Sequence, residues 1–259
     1  MHGGAEPTLS ARALGVRVAA RQLVSDLSLE FAPGELVAVL GRNGSGKTLT
    51  LHTLAGLRPP SSGTVLLGSR PLADLGRRAI ARRLGVLAQD AEEGLSATVL
   101  ETVLVGRHPH LGLLEWESAS DRAVAGRCLA RVGLEGFAER ATGTLSGGEH
   151  RRMAIAALLA QDPDVFLLDE PTNHLDPQHQ LAVLTLFREL ANSGRTVVAT
   201  LHDATLAARF ADRVLLLFGD GRWRAGAVSD VLTAQALAEL YLTPMLEVSA
   251  GGRRVFVSE

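Results

Sequence analysis

Cysteine is almost absent: Cys128 stands alone among 259 residues, which excludes an intramolecular disulfide and suits a reducing compartment. An excess of charge of one sign is also missing. The formal net charge is -2, so no global basic surface points to nucleic acid or anionic lipid. There is no stretch of about 18–20 uncharged apolar residues, the length that a bilayer-spanning helix needs. Apolar runs such as Val214 to Phe218 have strand length. The opening MHGGAEPTLSARAL lacks the apolar core of a signal peptide. A role at a membrane is therefore expected to need a separate membrane protein. Internal repeats, low-complexity tracts and long Pro/Gly linkers are missing too. With 46% hydrophobic and 21% charged residues the balance is that of a globular protein. The length suits one large α/β domain or two small ones.

Several short apolar runs read as buried strands: Leu36–Leu40, Leu84–Ala88, Val165–Leu168, Thr196–Thr200 and Val214–Phe218. They are continuous rather than alternating, the pattern of parallel strands covered on both faces. Helices are expected between them at Leu49–Leu57, closed by Gly56, at Arg151–Ala160, stopped before Pro163, and at Leu181–Ala191, ending near Gly194. The middle, about Gln89 to Asp162, is helix-rich with no convincing core strand, and Ser120–Val132 reads as one helix. It looks like a helical insertion between two halves of a parallel-sheet core. The start, about Ser10 to Phe31, is expected to form a flanking antiparallel layer.

Gly41-Arg42-Asn43-Gly44-Ser45-Gly46-Lys47-Thr48 fits G-x-x-x-x-G-K-[ST], with a strand before it and a helix after it. Glycines let backbone N–H groups turn inward around phosphate oxygens, and the helix N-terminus adds partial positive charge. Lys47 can reach β- and γ-phosphates, and the Thr48 hydroxyl can ligate Mg²⁺. The plain alternative is a glycine-rich turn with a surface lysine; the flanking strand and helix argue against it.

Val165–Leu168 ends in Asp169 and Glu170. Ligands of parallel α/β sheets bind beyond the carboxyl ends of strands, so this acidic pair can share a crevice with the phosphate loop. Asp169 suits a Mg²⁺ held through water, and Glu170 suits a general base for the attacking water. Gln89 and His202 follow two further strands. The Gln89 amide can bind Mg²⁺ or the water, and the His202 imidazole can donate to the γ-phosphate; a lone His or Gln after a strand is more often a satisfied polar residue. Leu145-Ser146-Gly147-Gly148-Glu149 has the S-x-x-E spacing of a capping box before a helix beginning near His150. Its glycines also expose amides at a helix N-terminus, a second anion site whose phosphate the sequence does not name.

Together these segments resemble the ABC ATPase family over nearly the whole chain. The phosphate loop resembles Walker A, Gln89 the Q-loop, Leu145–Glu149 the signature, Val165–Glu170 Walker B, Asn173–Asp176 the D-loop, and His202 the switch histidine. The resemblance implies one nucleotide-binding domain over 1–259. Its P-loop NTPase (RecA-like) α/β core would take 1–88 and 163–259, with an antiparallel β layer, and a helical subdomain would take 89–162. It implies ATP and Mg²⁺, with Glu170, His202, Lys47 and Gln89 catalytic. Gly41, Arg42, Asn43, Gly44, Ser45, Gly46, Lys47, Thr48 and Leu49 would hold the nucleotide, together with Ser146, Gly147, Gly148, Glu149 and Asp176. Thr48, Gln89 and Asp169 would hold the metal.

The resemblance also implies head-to-tail pairing of two copies, each ATP lying between one phosphate loop and the Ser146–Gly148 segment of the other. The helical insert would rest on integral membrane permease subunits, with the segment after Gln89 at that contact. A periplasmic or surface substrate-binding protein would take part indirectly, and the chain would sit at the cytoplasmic face of the membrane. The run RAIARRLGVLAQ (Arg78–Gln89), Gly106–His110 and the tail Leu232–Val257 resemble importers of metal chelates: iron–siderophore, haem or cobalamin. Three features depart from the family. Glu149 stands where Gln is usual. No aromatic falls near Val18 to stack on adenine, so either Arg17 or Arg21 stacks there instead or affinity for the base is weak. His174 resembles ribosome-associated ABC proteins as much as importers. His108 and His110 flank a proline without further ligands at metal-binding spacing. A soluble ABC ATPase acting on ribosomes or nucleic acid is the alternative, though such proteins usually carry two domains and a basic arm. A regulatory module without hydrolysis is disfavoured by the intact Lys47, Thr48, Asp169, Glu170 and His202.

Overall fold

The structure, a computed structural model, describes residues 8–89, 97–112 and 115–259. Most of the segment just after Gln89, expected at a membrane-subunit contact, lies outside the described residues. The chain opens with β1 (Leu9–Val18), β2 (Arg21–Phe31), β3 (Leu36–Leu40) and α1 (Lys47–Leu54). Then come β4 (Ser62–Leu67), β5 (Arg70–Pro71), α2 (Arg77–Arg83) and β6 (Leu84–Leu87). The helical stretch holds α3 (Val99–Leu104), α4 (Ala119–Arg131) and α5 (Gly147–Gln161). The second half continues through β7 (Val165–Leu168), α6 (Pro177–Asn192), β8 (Thr196–Thr200), α7 (Ala204–Phe210) and β9 (Arg213–Leu217). It closes with β10 (Trp223–Ala227), α8 (Val228–Val231), α9 (Ala234–Tyr241), β11 (Met245–Ala250) and β12 (Arg253–Ser258).

The apolar runs assemble into one six-stranded sheet of order β10-β9-β3-β8-β7-β6. From β9 to β6 every neighbouring pair is parallel, and β10 closes one edge antiparallel. Every residue of β3, β7 and β8 is buried, as strands covered on both faces require. Alternation divides the core: Leu36, Ala38 and Leu40 belong to the apolar cluster that holds the large helices, whereas Val37 and Val39 belong to the cluster under α1 and a second sheet. That second sheet, order β2-β1-β4-β5, is the antiparallel layer expected around Ser10–Phe31. Its members β4 and β5 went unread in the sequence, as did β10 and the β11–β12 hairpin.

Strand limits fall within a residue of expectation, but helix starts are earlier. α1 spans Lys47–Leu54 rather than Leu49–Leu57: left-handed Gly46 (φ 98°) starts it and Gly56 (φ 69°) follows its end. α5 begins at Gly147, not near His150 or Arg151, because Ser146 and Glu149 do form the capping box. α6 begins at Pro177 because Asp176 caps it. α3 and α4 also open on capping boxes, Thr98 with Glu101 and Ser118 with Asp121. Among the described residues of this stretch the only β pairing is an isolated bridge, Thr98 to Ala141. α5 packs against α3, α4 and the sheet, burying Met153, Ile155, Ala156, Leu158, Leu159 and Ala160. Among the described residues no helix is long and apolar enough to cross a membrane.

Candidate nucleotide site

Four parallel strands, β3, β6, β7 and β8, place the chemistry. The loop after β3 turns through Gly44 (φ 75°) and Gly46 (φ 98°), a left-handed region that glycine enters freely. Lys47 Nζ donates to the carbonyl of Gly41 at 2.8 Å and to that of Arg42 at 3.4 Å, so the ammonium lies inside the curl. Burial pushes the Lys47 ammonium down from its usual value, while the charges of Glu170 and Asp169 pull it back up.

The loop walls a cleft of about 550 Å³, within the range of small-molecule sites. Arg42, Asn43, Gly44, Gly46, Lys47, Thr48 and Leu49 line one side, and Val18, Arg21 and Leu23 come from the β1–β2 layer. Gln89, Glu170 and His202 enter from the ends of β6, β7 and β8. The structure thus brings together most of the residues expected from the first motif with all three strand-end side chains. Gly41 and Ser45 lie beneath the loop: a Cβ on Gly41 would fall 2.3 Å from Ser45 Oγ and 2.7 Å from the carbonyl of Leu217. Of the two arginines considered for the base, Arg21 lines the cleft and Arg17 does not. The Arg21 guanidinium is held by the Gly219 carbonyl at 2.8 and 3.2 Å.

Asp169 is fully buried. Its Oδ1 accepts the Thr200 hydroxyl at 2.6 Å, and its Oδ2 is buried without a hydrogen-bond partner. A buried carboxylate oxygen left unpaired is costly unless something binds there. With the Thr48 hydroxyl and the Gln89 amide on the adjoining cleft, this oxygen-rich set fits a hydrated Mg²⁺. Glu170 takes a left-handed backbone (φ 48°), uncommon for a residue with a Cβ. Its N–H donates to Thr200 Oγ1 at 2.7 Å, Oε1 lies 2.5 Å from His202 Nε2, and Oε2 accepts the Asn173 amide. The His202 loop is braced in turn: Tyr241 Oη donates to the His202 carbonyl at 3.4 Å, and the Phe256 N–H donates to Thr205 Oγ1 at 3.1 Å. Burial, and then the Asp203 charge, pushes the Tyr241 hydroxyl up to about 12.

Ser146, Gly147, Gly148, Glu149 and Asp176 do not line this cleft. Ser146 Oγ accepts the Glu149 N–H at 3.3 Å, and Glu149 Oε2 accepts the Ser146 N–H at 2.7 Å. That backbone bond holds the Glu149 carboxyl below its usual value. Asp176 accepts the His179 N–H at 2.9 Å, so within its own chain it is a helix cap. A Cβ on Gly148 would lie 3.3 Å from the His174 carbonyl, so the Ser-Gly-Gly turn rests on the Asn173–Asp176 segment. The His108 and His110 pair is engaged otherwise: His108 lies 3.4 Å from Glu117 and His110 Nε2 is 2.8 Å from the Gln161 carbonyl.

Sequence reasoning missed Thr200, whose signal was a hydroxyl ending an apolar strand beside the acidic one. It also missed Arg151, which entered only as the start of an expected helix.

A family model described as ABC transporter matches residues 24–173. The chain belongs to the ABC transporter family. A second model, described as AAA domain, putative AbiEii toxin, Type IV TA system, matches 144–208, too short a stretch to assign membership. Among curated ABC relatives, the cobalamin import ATP-binding protein BtuD of Halobacterium salinarum is 41% identical over 232 residues. The match takes in 89% of this chain and spans 58% of the length of that relative. The hemin import ATP-binding protein HmuV of Deinococcus radiodurans is 45% identical over 216 residues, 82% of this chain and 81% of the relative. Among solved structures, one described as an inward-facing, putative metal-chelate type ABC transporter has a TM-score of 0.86 at 30% identity, covering 98% of both chains. A dimeric ATP-binding cassette in a post-hydrolysis state, bound to ADP and Pi, gives 0.75 at 27% identity, covering 85% of this chain and 98% of that one. The α/β architecture with its antiparallel layer and helical insert is the ABC ATPase fold.

Proposed function

We propose that this chain hydrolyses ATP in the cleft and, as one of a head-to-tail pair, powers import of a metal chelate through a membrane permease. The observation that carries the reading is the meeting of Lys47, Glu170, His202 and Gln89 on one cleft with the turning phosphate loop. Loop N–H groups and Lys47 bind the phosphates. Glu170 takes a proton from the attacking water. The water oxygen bonds to the γ-phosphorus as the bond to the leaving β-phosphate oxygen breaks, giving ADP and phosphate. His202 fixes the Glu170 carboxylate through their hydrogen bond. Thr48, Asp169 and Gln89 would hold Mg²⁺, which supplies charge neutralisation to the phosphates when bound.

The split of expected nucleotide residues supports the pair. Ser146–Gly148 presents helix-terminal amides away from the chain's own cleft, where a second copy's ATP can meet them. Asp176 and the segment beneath the turn would lie on the same seam. The single nucleotide-binding domain over 1–259, with helical subdomain 89–162 between core segments 1–88 and 163–259, belongs to this reading. So do the permease contact beside Gln89, an indirect substrate-binding protein, and a peripheral seat on the cytoplasmic face of the membrane. The relatives' names favour an importer of cobalamin, haem or an iron–siderophore over a soluble ribosomal ATPase. The test is Mg²⁺-ATP hydrolysis by the purified chain, with capture from native membranes. Phosphate release and a co-purifying polytopic protein are expected; ribosomal proteins without a permease would overturn the transport reading.

A further inference from the structure

Arg151 is 6% exposed, deep for a charged side chain, and sits on α5 just after the turn at Ser146–Gly148. Its guanidinium spans two strand ends. Nη1 donates to the Ala88 carbonyl at 2.5 Å and to the Gln89 carbonyl at 3.3 Å, just past β6. Nη2 donates to the Glu170 carbonyl at 2.8 Å and to the Asp169 carbonyl, just past β7. β6 and β7 are parallel neighbours, with Leu87 paired to Leu168, so their carboxyl ends lie side by side. A rigid planar fork with several donors can clasp both; a lysine ammonium, a point charge, cannot. One side chain thereby joins three things: the helix whose N-terminus is the second anion site, the backbone of Gln89, and the backbone of Glu170.

We propose that Arg151 is a positioning residue for hydrolysis. It transmits the position of the Ser146–Gly148 turn to Gln89 and Glu170, so that the carboxylate is aimed when the turn is seated on a phosphate. The proposal rests on the reading that this turn meets the nucleotide of a second copy. The four accepting carbonyls belong to the segments that carry the base and the Q-loop amide. The backbone of Glu170 is already in a left-handed conformation, which persists only when its surroundings hold it. Moving the clasp by a few tenths of an ångström would swing the carboxylate away from its water, and misplacement of that kind costs rate without costing affinity. The guanidinium itself stays clear of the cleft lining, so it acts through these segments rather than on the substrate.

The experiment compares Arg151→Lys and Arg151→Met with the parent full-length chain. Four quantities are measured: kcat and KM for Mg²⁺-ATP, binding of a non-hydrolysable ATP analogue, and the thermal midpoint. The expected result is a fall in kcat of about tenfold for Lys and more for Met, with KM and analogue binding within about twofold. In a Glu170→Gln background the Lys variant should still pair in the presence of ATP, since the turn itself is intact. A lowered thermal midpoint with parental kcat per folded molecule would overturn the proposal and leave Arg151 a strut. Loss of ATP-dependent pairing in the Lys variant would overturn it as well, by placing the effect on the turn. If Met does not fold, the Lys variant decides. A parent chain without hydrolysis would defeat the functional reading itself, whereas an active parent with unaffected variants defeats only the role of Arg151.

Discussion

His202 Nε2 lies 2.5 Å from Glu170 Oε1, while the other oxygen of that carboxylate accepts the Asn173 amide. Both oxygens of the proposed base are therefore held by side chains from separate loops, one after β8 and one after β7.

Replacing Glu170 by Gln keeps the size of the group and removes its basicity. Hydrolysis should fall by about 100-fold or more, with ATP binding retained and an ATP-bound dimer trapped. Phosphate release and gel filtration with nucleotide check both parts. Near-parental turnover would mean that another group takes the proton.

Asp169→Asn tests the unpartnered buried oxygen. Thr200 can still bond the amide, so the strand end should keep its shape. Turnover should drop by about 100-fold, and ATP binding should lose most of its dependence on added magnesium. A fluorescent-nucleotide titration with and without EDTA reads this directly; unchanged magnesium dependence would sink the assignment.

Asp121 offers a pH test in the helical stretch. The Ser118 hydroxyl, then Arg107, hold its carboxyl down to about 2, below the usual 3.8. Because the folded value is lower, the stabilisation is full above about pH 4 and is lost as pH falls toward 2. Asp121→Asn should cost about 1–2 kcal/mol at pH 7. The gap between variant and parent should narrow through pH 3 and close in urea unfolding near pH 2 and below, and a gap that persists there would assign the loss to packing.

Gly106 lies against the backbone of α5: an added Cβ would sit 2.1 Å from the Ala157 carbonyl. Gly106→Ala should destabilise by about 1–3 kcal/mol, since two backbone segments must separate. A urea midpoint equal to the parent's would show that the turn over 105–110 moves freely off the helix.

Much of the site was legible because it depends on local chemistry. A phosphate loop needs glycine at Gly44 and Gly46, and an acidic pair after an apolar run declares itself. The buried central strands were legible because both of their faces are apolar. β4 was not, since Ser62 and Gly63 open it and only Val65–Leu67 are buried, too short an apolar stretch to distinguish from a loop. Helix starts were late because capping residues carry no hydrophobic signal. Arg151 was hidden for a different reason: nothing local separates it from its neighbour Arg152, and only the packing of α5 across two strand ends buries one more deeply than the other. The separation of the Ser146–Gly148 turn from its own cleft is likewise a tertiary fact.

The pairing of β3 sets an order of events during synthesis. Its two neighbours are β8 and β9, at residues 196–200 and 213–217. A growing chain therefore carries a finished phosphate loop long before the strands that flank it exist. Until Thr200 has left the ribosome, the wholly apolar Leu36–Leu40 segment has no strand to pair with in the six-stranded sheet. Of the cleft lining, Glu170 and His202 arrive only with the second half. Exposure of that segment in the interval makes it a natural point of chaperone contact.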